Sequence, residues 1–379
     1  MPRPTVPVTG AVVEWAIREA GYDLTALAKK LQVPVDTLRA WTNESAQPRL
    51  TQLRKLAAQV KRPLATFLLP KPPAVVAPAV EFRSPPGTEP RELNPAERRY
   101  LREAARLQRF LSWLAKEMGD APVTLPQERT KTPAATVAKR IRDRLGVTVE
   151  EQVGWPSPNA AFTAWRQKLE EQGVLVLLFS LGRESCRGFS LWDDHVPLIA
   201  VNTTGWLPGA RTFTLFHEYG HLVTRTPSAC LLARRRLTSV ASDSPERWGE
   251  EFAAALLMPA DAVHALVKQL GKLPPEALSG AVANYFSVSR LAAAIRLIEL
   301  DYLTWKDYED LPRVEVAKRG GGKGRDRAQQ RIDQYGSRAT RLVGRGLERD
   351  VIGRSEVLDY FDVPEPSLDR LIGSANVGE

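Results

Sequence analysis

The chain has few of the residues that mark a secreted or membrane-bound protein. Its 379 residues include two cysteines, Cys186 and Cys230. Two are too few for a disulfide framework and agree with a reducing compartment. No apolar run approaches the roughly 20 residues that cross a bilayer, and the N-terminus lacks the basic and apolar regions of a secretory signal. We therefore expect a cytoplasmic protein that does not engage a membrane.

Acidic residues are in the minority, and the excess positive charge is unevenly spread. The formal net charge is +9, yet residues 1–73 alone carry 11 Lys or Arg against 5 Asp or Glu. Residues 313–349 carry 11 against 4, so the rest of the chain is net negative by 4. Basic ends favour a polyanion partner, of which nucleic acid is the first candidate. Two solvated basic faces are the alternative.

Histidine is also scarce, with four in the chain, but two of them form the pattern H-E-x-x-H at His217, Glu218 and His221. On a helix, residues i and i+4 share a face, so both imidazoles can reach one metal ion. Glu218 can then act as the base for a water molecule at that metal. The alternative is a chance match in which the histidines satisfy hydrogen bonds in a core. The pattern predicts a zinc site.

A catalytic zinc needs a third protein ligand and one open position. The extended pattern H-x-x-G-x-x-H does not supply it, because Thr224 and Pro227 stand where Gly and His are required. A carboxylate from a following helix is the other common solution. The candidates on or beside that helix are Glu246 and Glu250, which share a face at i, i+4, and also Glu251 and Asp243.

The segments around these residues resemble the ImmA/IrrE metallopeptidases over roughly residues 150–265. The resemblance is carried by Phe216–Leu222 and by the run from Glu246 through Phe252 to Pro259. It implies a zinc-dependent endopeptidase in which Glu246 is the third ligand, with another divalent metal such as Mn²⁺ as a possible substitute. Glu250 stands where the family usually has Asn, which makes it a rival ligand or a group beside the ligands. The resemblance also implies a substrate, because members cleave helix-turn-helix repressors to release stress, prophage or mobile-element genes.

One further histidine lies close to the motif in sequence. His195 follows Asp193 and Asp194 in a predicted turn between two strands, and it could stabilise an oxyanion near the metal. A solvent-facing turn histidine is the alternative.

Near the N-terminus, apolar residues recur at helical spacing from Leu24 to Leu31, a tight turn follows at 32–35, and Leu38 and Trp41 face inward on the next helix. With these features the first 70 residues resemble the lambda-repressor-like, XRE-type helix-turn-helix family. The resemblance implies that the second of these helices enters the major groove of DNA. A bundle used for dimerisation or docking is the alternative. Groove-facing candidates are Thr37, Arg39, Thr42 and Asn43, and phosphate-facing candidates are Lys29, Arg49 and Lys55.

The chain as a whole predicts an α+β, mostly helical protein. We expect a helix-turn-helix bundle at 1–70, a Pro-rich linker at 71–95, and a zincin-like metallopeptidase domain with a small sheet at 96–310. A basic Gly-rich linker at 311–330 and a C-terminal helical segment at 331–379 follow. Strands are expected at 174–179, 189–192 and 196–202, the last as an exposed edge for substrate. A basic stripe on the C-terminal segment is formed by Arg338, Arg341, Arg345 and Arg349.

Taken together, these patterns predict a regulatory zinc endopeptidase that cleaves a helix-turn-helix repressor and contacts DNA through its basic N-terminal and C-terminal regions. The alternative is a DNA-binding transcriptional regulator whose metal centre is sensory or inactive. The oligomeric state has no signal in the sequence.

Overall fold

The described part of the chain is mostly helical and contains a small four-stranded sheet, in agreement with the α+β prediction. The computed structural model describes residues 5–73, 93–182, 185–226, 228–230, 245–312 and 327–373. Most of the two predicted linkers, Asp243 and the last six residues lie outside the described residues. Contacts divide the chain into one unit of residues 1–79 and 91–103 and another of residues 80–90 and 104–379.

Four helices and a short 3-10 helix at Leu64–Leu68 make up most of the first unit: α1 Gly10–Glu19, α2 Leu24–Leu31, α3 Val35–Thr42 and α4 Leu50–Val60. Asp23 begins α2 by accepting a hydrogen bond from the backbone N–H of Ala26 at 2.8 Å. Gln32 ends α2 in the left-handed region, with φ at 58°. Leu27, Leu38 and Trp41 are buried in the core. A three-residue connection therefore joins α2 and α3 over an apolar core.

A long helix, α5 Pro95–Glu117, begins in the first unit and continues into the second. The further elements in chain order are α6 Ala134–Leu145, α7 Val149–Gly154, α8 Pro158–Glu171, β1 Leu175–Phe179, β2 Gly188–Leu191, β3 Leu198–Asn202, α9 Pro208–Thr224, β4 Ser228–Cys230, α10 Pro245–Leu257, α11 Ala260–Leu270, α12 Pro275–Phe286, α13 Arg290–Glu299, α14 Trp305–Asp310, α15 Arg327–Glu348, α16 Arg354–Phe361 and α17 Glu365–Gly373.

The sheet has the strand order β1-β3-β2-β4. β3 is parallel to β1, with Leu175 opposite Leu198, and antiparallel to β2, with Leu191 opposite Leu198. All five residues of β3 are buried. The prediction of an exposed substrate edge at 196–202 is therefore wrong, because both edges of this strand are already hydrogen-bonded. Its continuous apolar run is typical of a central strand.

Helix α9 packs against the sheet through β2 and β3, and against α8 and α10 elsewhere. Its segment from Thr212 to Val223 is buried apart from Phe213. Phe216 meets the edge of Trp165 with ring centroids 4.9 Å apart. Such a helix needs apolar residues on nearly every side, and any polar residue on it lies in a low-dielectric environment.

Helix α15 carries the predicted basic stripe and packs against β1 and α17. The helix is kinked at Gly336, where φ is 77°, and Glu170 accepts a hydrogen bond from the backbone N–H of Ser337 at 2.9 Å. Arg345 forms an ion pair with Asp120, and Arg349 donates to a backbone carbonyl of the second unit. Half of the stripe is thus used for packing within the unit rather than left free for a polyanion.

Among the described residues, no helix combines the length and the apolar character that crossing a membrane requires.

Candidate metal centre

The polar trio of the H-E-x-x-H pattern lies in the C-terminal half of α9. His217 and His221 are one turn apart, and their ring centroids are 4.8 Å apart. Their residues are 3% and 2% exposed, and Glu218 is 0% exposed. Buried charges and imidazoles are costly unless they are paired or hold a metal. The burial of all three therefore points to a chemical role for them.

Helix α10 brings the third ligand candidate to this turn. Trp248 anchors the helix, because its ring stacks on Phe252 at 5.2 Å and its Nε1–H donates to the carbonyl of Thr132 at 2.8 Å. One residue further on, Gly249 lies against the histidines: a Cβ at this position would come within 3.2 Å of Nδ1 of His217. Only glycine permits this close approach of the two helices without a shift of the imidazole.

The three ligand atoms converge at distances that suit a metal ion. Nε2 of His217 and Nε2 of His221 are 3.2 Å apart. In Glu246, Oε2 lies 3.3 Å from Nε2 of His217, and Oε1 lies 3.5 Å from Nε2 of His221. Two ligands bound about 2.05 Å from a tetrahedral zinc lie about 3.3 Å apart. The residues present therefore fit a divalent metal held by two imidazoles and one carboxylate.

The environment of Glu246 favours its charged form. Burial by itself would raise the pKa of this carboxyl, but the neighbouring imidazoles of His217 and His221 lower its pKa well below the usual range. The side chain is 33% exposed, in contrast to those of the two histidines. A carboxylate that stays ionised, open to solvent on one side, is the form a metal ligand needs.

Glu218 lies on the sheet side of the site. A Cβ added at Gly188, the first residue of β2, would be 3.2 Å from Cγ of Glu218 and 2.8 Å from Cγ2 of Thr214. β2 therefore packs directly on the turn of α9 that carries Glu218. Glu218, which directly follows His217, therefore packs against a strand of the sheet.

The other carboxylate candidates lie outside the three-ligand group. Burial raises the pKa of Glu250, an effect that nearby His217 opposes and Glu246 reinforces. Glu250 thus interacts electrostatically with His217 and Glu246 but contributes no ligand atom to the group. Glu251 pairs instead with Arg247 at 2.9 Å, and Asp243 lies outside the described residues. Whether Glu250 has a role beside the ligands stays a prediction.

His195 lies in the turn between β2 and β3, as predicted. Asp193 shapes this turn by accepting from the backbone N–H groups of His195 and Val196, each at 2.9 Å. The turn follows Leu191 at one end of β2, whereas Glu218 lies against Gly188 at the other end. The oxyanion role of His195 stays a prediction, and these contacts do not support it.

The DNA-binding candidates are spread over three neighbouring helices of the first unit. Lys29 is on α2, Thr37, Arg39 and Thr42 are on α3 with Asn43 at its end, and Arg49 and Lys55 are at the start and in the middle of α4. Thr37 and Thr42 are half-buried, and the others are exposed. Arg39 forms an ion pair with Asp36 at 3.1 Å. The arginine candidate on α3 therefore has a partner within its own helix.

Three residues at the centre have no signal in the sequence. Gly249 permits the approach of α10 to α9, and Oγ1 of Thr226 lies 2.9 Å from Nδ1 of His221. Arg187 stacks over the ring of Trp206 at 4.2 Å and lowers the pKa of Glu250 through its charge, against the larger effect of burial. None of the three belongs to a spacing pattern, and each acts through a contact between elements.

Comparison with known families bears on this geometry. Residues 169–298 match the Peptidase_M78 family, described as the IrrE N-terminal-like domain. The matched range contains the sheet, α9 and α10, and it supports the ImmA/IrrE resemblance of the motif. No curated protein matches the chain.

The match and the convergence of His217, His221 and Glu246 together indicate a metallopeptidase-type domain with a site for a divalent metal. The helix-turn-helix resemblance of the first unit stays a prediction.

Proposed function

We propose that the second unit is a zinc-dependent endopeptidase that acts on a regulatory protein. The observation that carries the proposal is the approach of three ligand atoms from two helices to within 4.8 Å of one another, beside a fully buried glutamate. His217, His221 and Glu246 would hold the metal as its three protein ligands.

A divalent cation held by these residues would supply Lewis acidity towards a peptide carbonyl and water. Glu218 is the general base: its carboxylate takes a proton from the attacking water and delivers that proton to the leaving amine. Packing against β2 keeps the carboxylate in place. The apolar surroundings on α9 exclude competing water and strengthen each electrostatic interaction.

The substrate class rests on the family resemblance. Its members cleave helix-turn-helix repressors, so we propose a repressor of this kind as substrate and the release of stress, prophage or mobile-element genes as the outcome. A protein substrate agrees with the 33% exposure of the Glu246 side chain, which leaves the site accessible from one side.

A DNA-binding role for the first unit is supported by the α2–α3 arrangement and by the exposed Lys29, Arg49 and Lys55. The C-terminal stripe supports it less, since Arg345 and Arg349 have partners within the second unit. DNA bound by the first unit would make the protein a transcriptional regulator as well as, or instead of, a peptidase.

The decisive experiment compares the wild type with Glu218→Gln, using small helix-turn-helix repressors as candidate substrates. We expect the variant to retain its metal, measured by elemental analysis, and to lose at least about 100-fold in cleavage rate, the usual contribution of a general base. His217→Ala should lose both metal and cleavage.

Glu117→Gln is the matched control, because it makes the same chemical change at an exposed position of α5. It should leave cleavage and metal content unchanged. Unaltered cleavage by Glu218→Gln would refute the mechanism. DNA binding that persists without metal, together with no cleavage of any candidate repressor, would favour the regulator over the peptidase.

A further inference from the structure

A chain of hydroxyl groups leads away from one of the ligand histidines. Nδ1 of His221 lies 2.9 Å from Oγ1 of Thr226. That oxygen is 2.7 Å from Oγ1 of Thr224, which in turn lies 2.9 Å from the carbonyl oxygen of Gly220. The chain thus begins at the back of the imidazole and ends at a backbone group that can only accept.

The carbonyl at the end sets the direction of every hydrogen bond in this chain. Two oxygens 2.9 Å apart attract each other only with a hydrogen between them, so Thr224 donates to Gly220. A hydroxyl has one hydrogen, so Thr226 donates to Thr224. Thr226 can then only accept from His221, and Nδ1 of His221 carries the proton.

A neutral imidazole with its proton on Nδ1 has its lone pair on Nε2. Nε2 is the atom that faces Nε2 of His217 at 3.2 Å and Glu246 at 3.5 Å. The direction of the hydroxyl chain therefore selects the tautomer that can bind a metal in this group, and it also fixes the plane of the ring.

The end of α9 explains why a hydroxyl lies behind His221. Arg225 adopts the left-handed region with φ at 55°. The backbone N–H of Thr226 returns to the carbonyl of His221 at 3.1 Å, and that of Arg225 returns to Leu222 at 3.3 Å. This pattern of six-to-one and five-to-two hydrogen bonds is a Schellman motif. It folds Thr226 back over the last turn, which His221 occupies.

We infer that Thr226 and Thr224 are positioning residues that hold His221 in its metal-binding tautomer and orientation. The inference rests on the proposed metal centre, although the proton position on His221 is a property of the metal-free protein as well. Thr226 acts directly on the imidazole. Thr224 acts through Thr226. Because Thr224 accepts the hydrogen of the Thr226 hydroxyl, Thr226 cannot donate to Nδ1 of His221, and the His221 proton is not left on Nε2.

The first test measures metal affinity by competition with a chromophoric chelator, using Zn²⁺ and Co²⁺ as probes. Thr226→Val keeps the volume and removes the hydroxyl, and it should weaken affinity by about 10- to 100-fold, as loss of a partner to a ligand histidine does. Thr226→Ser restores the hydroxyl and should bind within about threefold of wild type. Thr224→Val should show a smaller loss than Thr226→Val.

Thr163→Val is the matched control, because Thr163 also donates its hydroxyl to a helix carbonyl, at 3.0 Å, but on α8. It should leave metal affinity unchanged, and thermal unfolding of all variants should show that each is folded. Thr226→Val that binds metal as tightly as wild type would overturn the inference.

The second test needs no metal. In the metal-free protein with ¹⁵N-labelled histidine, at a pH where imidazoles are neutral, the nitrogen shifts of His221 should report a protonated Nδ1 and an unprotonated Nε2. Thr224→Val should shift the population towards a protonated Nε2. A wild-type His221 with its proton on Nε2 would contradict the inference, whereas a wild type that binds no metal would contradict the proposed function and leave this result standing.

Discussion

The helix pairs α9–α10 and α2–α3 carry their polar residues in opposite ways. On α9, His217, Glu218 and His221 are at most 3% exposed and lie among apolar neighbours. On α3, the side chains of Asp36 and Arg39 are 87% and 64% exposed and pair with each other. Both pairs resemble functional families in sequence, yet only the first shows a candidate metal site in its internal geometry.

The difference follows from the cost of burying polar groups. A buried imidazole or carboxylate destabilises the fold unless a partner compensates it, so the positions of such groups are specified by the rest of the protein. Exposed charges cost almost nothing in any arrangement. A buried candidate metal centre can therefore be recognised from the structure of the protein alone. A DNA-binding surface can be recognised only with its partner.

The largest effect in this comparison is expected from Gly249→Ala. A Cβ at this position lies 3.2 Å from Nδ1 of His217, so that imidazole must shift by a few tenths of an ångström, whereas Nε2 of His221 at 3.5 Å is an ordinary contact. Metal affinity should fall about tenfold, the lower end of the effect expected from groups around a metal. Chelator competition measures it.

Gly280→Ala in α12 is the control, because nothing lies within 4 Å of a Cβ there. It should leave metal affinity unchanged and raise the free energy of unfolding by about 0.5–1 kcal/mol, the usual gain from replacing a helix glycine. If Gly249→Ala behaves like this control, close approach of α10 is not needed for the site.

A smaller effect, on the pH dependence of the free energy of unfolding, is expected from Glu299 on α13. Burial raises the pKa of Glu299 to about 7, an effect that its hydrogen bond from Arg296 opposes and that the charges of Glu251 and Glu250 reinforce. The folded protein therefore holds this proton more tightly than the unfolded chain. The contribution of this carboxyl to the free energy of unfolding is fully present below about pH 4.5, and it is lost as the pH rises through about 7.

Glu299→Gln should remove this loss, because the amide cannot ionise. Urea unfolding at pH 5 and pH 8 would measure a loss in the wild type of at most about 3 kcal/mol, since a tenfold change in proton affinity corresponds to about 1.4 kcal/mol. The variant should lose less between the two pH values. An equal loss in both proteins would show that Glu299 does not titrate in this range.

The smallest effect is expected from single exposed residues of the first unit. Lys55→Ala should weaken DNA binding equally for all sequences and reduce the slope of log affinity against log salt by about 1, as loss of one phosphate contact does. Its effect on the free energy of unfolding should stay within about 0.5 kcal/mol.

Lys139→Ala removes the same charge from an exposed position of α6 in the second unit. It should leave the affinity and the salt slope as in wild type. If both variants change the slope equally, the interaction with DNA is a general effect of net charge, and the first unit has no dedicated surface.

Much of the secondary structure could be predicted because it depends on local periodicity. The helix at Leu24–Leu31 and the strand at Leu175–Phe179 lie where apolar spacing placed them. The turn at Asp193 follows from the tendency of an aspartate to accept from the backbone two and three residues later. In the metal centre, helical geometry alone places two histidines at i and i+4 on one face.

The error at 196–202 shows where local reasoning ends. A strand was correctly expected there, but strand order depends on which segments meet in space, and β3 lies between β1 and β2. The basic stripe is a similar case. Its arginines were correctly expected along one helix. Arg345, however, pairs with Asp120, which lies more than 200 positions away in the sequence.

By itself, the sequence determined that one helical turn could present two imidazoles and a glutamate, because the backbone repeat of a helix is the same in every protein. The tertiary structure decided the rest of the centre. The crossing of α9 and α10 at Gly249 brings Glu246 rather than Glu250 to the ligand group, and the return of the chain after α9 places Thr226 behind His221. Contacts of this kind depend on how elements pack, which no spacing along the chain encodes.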